Sequence, residues 1–577
     1  MIHGKWNSNC LILYMEIKKD KPARKSTARI ILISLSVVIV TGIAIGFWYW
    51  TTHKDVIIEK EIEKEIAKTQ DKFYKVSYDS IQVDESAGSL YMTNMKLVYD
   101  SAMYVNDVQQ GKAPSMLFTI DIPEIKVEGV KTKKALLDKE IVGRKLEIKN
   151  PVVNLQYTYK GKNAERNVPT DEIYREVLKN LDMIRIDSVM ISGARVITSN
   201  KNSGKKIMDV KDVDLALLGM RVDSASSKDA GRFLFSDNMS LNVAKISLPA
   251  PGKLYDHIAE NISLRSADNI LSVGRISIRP TLGEDAFVNA IPTQDDRYDF
   301  TFNNVVFSGI DINRLFSEYF IADAMTIQNA SLKIYRDLAR PRDKVNRVGK
   351  YPHQVLDDVP MKFNVKRLNV RNSFVEYKER NHITRQSGKV QFYNVNGTIT
   401  NFTNDKNAKN KVMRASLNSN FLNRTSLKSK WTFYLFDANG RFDVSGSVGA
   451  IDGQHLNSLA EPMGPATIKE GHMDALTFDL KGNNYSMNGT VKMLYDDLKV
   501  ALLEKDRGET ELDKKFLTSL LANFVIKNSN PKGDNGARVE QVSLTRNTNR
   551  SLFNLCWKTL FKGIRQTVGI KREMAVK

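Results

Sequence analysis

KVSYDSIQVD, Lys75–Asp84, decides the fold. Its residues alternate, with Val76, Tyr78, Ser80 and Gln82 on one face and Ser77, Asp79, Ile81 and Val83 on the other. A period of two belongs to strands, whose successive side chains point to opposite sides of a sheet. The alternation recurs in Phe118–Val127, Lys145–Tyr157, Met183–Ile197, Met239–Leu248, Ile270–Ile278, Phe302–Ile312 and Met325–Tyr335. It continues in Met361–Tyr377, Lys389–Thr400, Lys430–Phe436, Phe442–Val448, Ala475–Leu480, Tyr485–Leu494 and Leu498–Leu502. Gly, Asn, Asp and Ser break the runs, as turns require. The expectation is a mostly β chain, with a long antiparallel meander over residues 74–503 and a helical segment over 504–577.

Upstream, Ile30–Trp50 reads IILISLSVVIVTGIAIGFWYW, twenty-one residues without a charge. As a helix it spans about 30 Å, the hydrocarbon thickness of a bilayer. A cleaved secretory signal has a shorter apolar core and ends in small residues. Here the run ends in Phe47, Trp48, Tyr49 and Trp50, an aromatic belt for the headgroup region. A single transmembrane helix is therefore expected from Ile30 to Trp50. Residues 1–29 carry Lys5, Lys18, Lys19, Lys21, Arg24, Lys25 and Arg29 against Glu16 and Asp20. Such a basic flank stays in the cytoplasm. No later stretch is long and apolar enough to cross back, so the bulk of the chain is expected on the far side. Within residues 51–73, Ile58, Ile62 and Ile66 form one stripe on a charged helix, either a stalk or a cap on a sheet end.

Further helices are expected at Asp171–Asp182 behind the N-cap Thr170, in a short connector at Asp311–Phe320, and at Lys505–Asn523. Leu552–Val568 sets Leu552, Leu555, Trp557, Leu560, Phe561 and Ile564 on a broad apolar face, with Lys558, Lys562 and Arg565 elsewhere. Two readings stand for it: docking on the sheet as core, or lying on a membrane. Strands also share a loose pattern ending in glycine, as at Gly129, Gly193, Gly309, Gly397, Gly446 and Gly489. Its spacing is irregular, so it marks no fixed-period solenoid. The plain reading is that β-turns favour glycine.

The composition is that of a globular chain, with 42% hydrophobic and 26% charged residues, and it excludes disorder. The two cysteines, Cys10 and Cys556, fall on opposite sides of the expected anchor, so no intramolecular disulfide is expected. The formal net charge of +20 suits the surface of an anionic membrane. Nucleic-acid binding produces a similar excess. The positive charges are scattered along strands, however, and export removes the usual nucleic-acid partners. Catalytic signatures are missing: the seven histidines show no metal-ligand spacing, and there is neither a G-x-S-x-G elbow nor a P-loop. Asp357 and Asp358, with His353, are weighed as a cation site against a solvated loop. No enzyme, cofactor or metal is expected.

Arg441–Leu503 (RFDVSGSVGAIDGQHLNSLAEPMGPATIKEGHMDALTFDLKGNNYSMNGTVKMLYDDLKVALL) resembles the C-terminal region of AsmA-like envelope proteins. The shared features are a strand with glycine, a short D…LN…L…P connector, and a run of the form I…G…L.F.L.GN…G…Y.DL.V.LL. Tyr74–Leu97 is similar to the start of that family, and Ser551–Gly569 to its terminal amphipathic segment. Residues 361–503 carry most of the likeness. The resemblance implies a single-pass inner-membrane protein of double-membraned bacteria. Its periplasmic part would be a long curved β-sheet forming an open apolar groove, in a superfamily implicated in moving phospholipid between membranes and in maintaining the outer envelope.

The candidate lipid-binding face comprises Trp431, Phe433 and Leu435, then Phe442 and Val444, then Leu476, Phe478 and Leu480, then Met487 and Val491. Tyr485 and Met493 extend it. Acyl chains need such a face, each buried methylene contributing about 0.8 kcal/mol. The same residues also suit a closed sandwich core. Three functions are weighed: a membrane-anchored protein that binds phospholipid and supports its transport or outer-membrane integrity, an anchored non-enzymatic scaffold that assembles outer-membrane or cell-wall proteins, and an exported hydrolase, which clustered acids or histidines in a cleft would favour. An unbroken apolar stripe on one sheet face favours the first, and a closed core with exposed polar edges the second.

Overall fold

The computed structural model describes residues 73–569, apart from 85, 115, 132–139, 159–181, 227–228, 230, 250–253, 317–318, 360, 383–384, 464–465, 503–526 and 532–535. The expected tail (1–29), the anchor with Ile30, Phe47, Trp48 and Trp50, and the stalk up to residue 72 lie outside these residues. So do the helix expected at Lys505–Asn523 and nearly all of that at Asp171–Asp182. Among the described residues, no helix is long and apolar enough to cross a membrane.

Strands dominate, as the alternation requires. The chain divides into two units; of the described residues, one holds 73–276 and 306–320, the other 277–305 and 321–569. The strands of the first are β1 (Tyr74–Ser77), β2 (Ser80–Asp84), β3 (Ser89–Tyr99), β4 (Met116–Glu128), β5 (Glu140–Lys149) and β6 (Val152–Tyr157). After them come β7 (Met183–Asn200), β8 (Lys206–Val222), β9 (Asn238–Pro249), β10 (Tyr255–Arg265) and the opening of β11 (Ile270–Pro280). A helix, α1 (Ser101–Gln109), follows β3 and is capped by the Asp100 carboxylate.

In this unit the expected meander is interrupted. β5 and β6 are two halves of one line, broken where Asn150 turns to φ 51° and Pro151 lacks a donor. Both halves pair antiparallel with β4, but both pair parallel with β7. Parallel neighbours need a crossover of a dozen or more residues, and the chain between Tyr157 and Met183 has that length. Periodicity reports that a strand exists, not which way its neighbour runs.

The other unit contains α2 (Glu284–Ala290), most of β12 (Asp296–Ser308), most of β13 (Tyr319–Asp337) and α4 (Pro352–Val355), while α3 (Ile312–Phe316), between β12 and β13, belongs to the first. It continues with β14 (Lys362–Arg380), β15 (Ser387–Thr403), β16 (Val412–Phe421), β17 (Thr425–Tyr434), β18 (Phe442–Val448) and β19 (Ile451–Asp452). It ends with α5 (Asn457–Met463), β20 (Ala466–Gly482), β21 (Ser486–Leu502), β22 (Glu540–Thr545) and α6 (Leu552–Thr567). From β14 to β18, each strand pairs antiparallel with the next; β18 then pairs with β20, β20 with β21, and β21 with β22.

Strands of up to 19 residues are kept by bulges rather than by straight pairing. Asn304, Asn329, Asn372 and Asn394, one in each of β12–β15, take positive φ. Asparagine tolerates this conformation, and a bulge bends its strand and raises its twist. Asparagines at or beside these positions bond from strand to strand. Asn303 donates to the Asn329 carbonyl at 2.9 Å, Asn372 Nδ2 to Asn329 Oδ1 at 2.7 Å, and the Asn372 backbone N–H to Asn396 Oδ1 at 2.9 Å. The bends therefore fall on one line across these strands.

The glycine pattern has a different meaning from the turn reading. Gly129 and Gly309 do follow strand ends at positive φ. Gly397, Gly446 and Gly489, however, stand inside β15, β18 and β21. A Cβ on Gly446 would come within 2.5 Å of the Phe478 ring, so this glycine makes room for an aromatic neighbour across the ladder.

Candidate functional site

The first unit carries its apolar residues in register. Antiparallel and parallel pairings align Met92, Ile125, Ile148, Ile191, Leu215, Leu241 and Leu264 in one row across β3, β4, β5, β7, β8, β9 and β10. A second row runs Leu97, Ile120, Val153, Val196, Val210, Ile246 and Ala259, passing through β6 in place of β5. Each row crosses seven strands without a polar side chain. The first five members of the first row are at most 2% exposed, whereas Leu241 is only half-buried. Sequence reading missed these rows because their signal lies in the register, which brings together residues up to 172 positions apart (Met92 and Leu264).

The residues proposed from the sequence do come together, in the other unit. Trp431 pairs with Val444 and Val444 with Leu480; Phe433 pairs with Phe442, which faces Gly482, and Gly482 faces Met487. Phe478 faces Gly446 on one side and Val491 on the other, and Leu476 faces Val448 and Met493. The Trp431 and Phe433 rings stack at 5.7 Å. Leu435 lies just past the end of β17, buried at 4% exposure, where its N–H donates to the Lys411 carbonyl. Tyr485 does not join them: it precedes β21 and is 56% exposed.

This face is covered. Helix α6, capped by Ser551, packs on β21 and β22 and buries Leu552 and Leu555 with Phe442, Val444, Leu476, Leu480, Met487 and Val491 in one core. Gly563 is the point of closest approach, since a Cβ there would lie 2.5 Å from Val491 side-chain atoms. Thr559 and Thr567 are fully buried on the same side because their hydroxyls donate to the carbonyls of Leu555 and Gly563 in the preceding turn. Of the two readings for this helix, docking on the sheet is the arrangement present. Trp431, Phe433 and Phe478 remain partly exposed at the margin of the covered patch. On the other side of α6, Phe553 and Phe561 are 41% and 46% exposed.

Tyr351 closes the same core from the loop before α4. Its ring meets Phe442 edge-on at 5.6 Å, its hydroxyl donates to the Asn483 carbonyl at 2.9 Å, and burial pushes its pKa up to about 12. The Arg546 guanidinium lies 4.2 Å from the ring centroid and donates to the carbonyls of Asn484, Arg347 and Arg550. Beside it, His353 is 3% exposed, 5.0 Å from the Phe433 ring, and neither ring nitrogen has a hydrogen-bond partner. Burial drives its pKa down to about 4, Asp437 opposing weakly. The imidazole is therefore neutral and apolar in behaviour.

The cation site considered at His353, Asp357 and Asp358 does not assemble. Asp357 pairs with Lys406 at 2.8 Å and Asp358 with Lys350 at 3.0 Å, while His353 faces aromatic rings. Among the described residues, no group of three or more His, Cys, Asp or Glu side chains is placed to hold a metal ion. Burial pushes the Cys556 thiol up to about 12, which leaves it without thiolate character at neutral pH.

Comparison with protein-family models and with curated proteins finds no match to this chain.

Proposed function

We propose that this chain is an inner-membrane-anchored, periplasmic, AsmA-like protein that holds phospholipid on the apolar side of its sheet and supports lipid movement between membranes or outer-membrane integrity. The observation that supports this reading is the pair of apolar rows crossing seven strands of the first unit. Acyl chains moving along such a row exchange one apolar contact for another, and no catalytic residue is required. The partly exposed Trp431, Phe433 and Phe478 offer a second apolar surface beside α6.

The test is mass spectrometry of lipids co-purifying with residues 55–577, exported without the anchor and kept free of detergent. Phospholipid bound to the wild type and lost in Leu241→Asp or in Phe433→Asp with Phe478→Asp, with far-UV circular dichroism unchanged, is the expected result. A folded wild type that carries no lipid overturns the reading.

One observation favours the alternative of an anchored, non-enzymatic scaffold for outer-membrane or cell-wall proteins. The C-terminal apolar face is filled by α6, and β22 has β21 as its sole strand partner among the described residues. An edge of this kind accepts a strand from another chain.

A further inference from the structure

Five arginines from neighbouring segments gather before the start of α6. Arg336 on β13 pairs with Asp296 at 2.6 Å, and Arg347 pairs with Asp343 at 2.6 Å and donates to the Asn549 carbonyl at 2.8 Å. Arg546 is consumed by carbonyls and the Tyr351 ring, as described above. Arg550 differs. Its side chain is half-buried yet makes no hydrogen bond or ion pair among the described residues, and Arg342 on the adjacent loop is likewise unpaired. The acid acting on Arg550 is Glu379, which already accepts the Tyr377 hydroxyl at 2.7 Å. Burial, with the charges of Arg336 and Arg342, lowers the pKa of Arg550. Next to this charge, which has no direct ion-pair partner among the described residues, is apolar surface: the exposed Phe553 ring lies 5.6 Å from that of Tyr377.

We propose that Arg550 and Arg342, beside the Tyr377–Phe553 ring pair, bind a phosphate group, and that the rings select a phosphate carried on an acyl chain. Guanidinium forks match phosphate oxygens bidentately, and a bound anion offsets the repulsion that Arg550 bears from its neighbours. The preference for an acylated phosphate rests on the lipid-binding reading above; phosphate binding itself does not.

The experiment is isothermal titration of the full chain, in a neutral maltoside detergent, with inorganic phosphate and separately with dihexanoyl phosphatidic acid below its micelle concentration. Both probes are expected to bind, the lipid at least about tenfold more tightly. Arg550→Gln weakens both by about tenfold, the loss of one charge-assisted contact. The exposed Arg342→Gln, which leaves folding untouched, weakens both severalfold. Phe553→Ser removes the advantage of the lipid while leaving phosphate binding intact. Equal affinity for the two probes assigns the site to free phosphate and overturns the acyl preference alone. No binding of either probe at millimolar concentration, or binding unchanged in both arginine variants, overturns the site. A chain that purifies without lipid but still binds phosphate through Arg550 refutes the proposed function and leaves this site standing.

Discussion

Lowering the pH from 7 to 5 will loosen the C-terminal core through His353. Folding buries the imidazole against Phe433 and leaves both nitrogens unpartnered, so its pKa is about 4 instead of the ordinary 6.5. The unfolded chain thus binds the proton more readily than the folded one. Stability from this group is full above about pH 6.5 and is lost as the pH falls through 4. Each tenfold difference in proton affinity is worth about 1.4 kcal/mol, so the loss is about 2 kcal/mol by pH 5 and about 3 kcal/mol below pH 4. The assay is urea unfolding at pH 7 and pH 5, followed by tryptophan emission, for wild type and His353→Leu. Trp431 stacks on Phe433, the ring that His353 touches, and so reports on this core. The wild type is expected to lose about 2 kcal/mol more than the variant between the two pH values. Parallel pH dependences, agreeing within about 0.5 kcal/mol, refute the reasoning.

Two further outcomes follow from packing and charge. Gly563→Val sets a side chain against Val491, where even a Cβ lies 2.5 Å from its atoms, and will destabilise the C-terminal unit by about 1–3 kcal/mol. Adding Val491→Ala recovers part of that loss if the contact is direct, which a double-mutant cycle of urea midpoints reads. Asp337 is 1% exposed at its side chain, accepts from Arg380 at 2.7 Å and Arg385 at 3.1 Å, and takes the Ala339 N–H at 2.7 Å. These partners, against burial, hold its carboxyl below the usual range. Asp337→Asn will lower stability by about 2–4 kcal/mol at pH 7, Arg380 keeping Asp285 as a second partner. The effect shrinks as the pH falls below about 4, where the wild-type contribution is itself lost. Thermal unfolding of both proteins across that range checks it.

The fold class was legible because a half-buried strand writes its period into the chain. Runs such as Met183–Ile197 and Ala475–Leu480 became the interiors of β7 and β20. The helix at Leu552–Thr567 was legible for the same kind of reason, with Ser551 as its cap. Nine of the ten apolar residues proposed as a site stand on adjacent strands, with Leu435 just past the end of β17, but nothing local in them says that α6 lies on top. That depends on Gly563 meeting Val491 across more than seventy residues. Equally hidden was His353: the acidic pair Asp357 and Asp358 beside it suits a loop, and only its packing against Phe433 and Tyr351 makes it a core residue.

What the sequence by itself determined is therefore local: which stretches extend, which coil, and where a polar backbone breaks, since propensity and alternation act between near neighbours. Direction and register belong to the tertiary structure. Whether β7 runs with β5 or against it, and whether Met92 shares a row with Leu264, depends on hydrogen bonds between strands far apart in the chain. A slip of one residue turns every side chain to the opposite face. The apolar rows, the surroundings of Arg550 and the covered C-terminal face all arise at that level, because each is a meeting of residues that no short window of sequence contains.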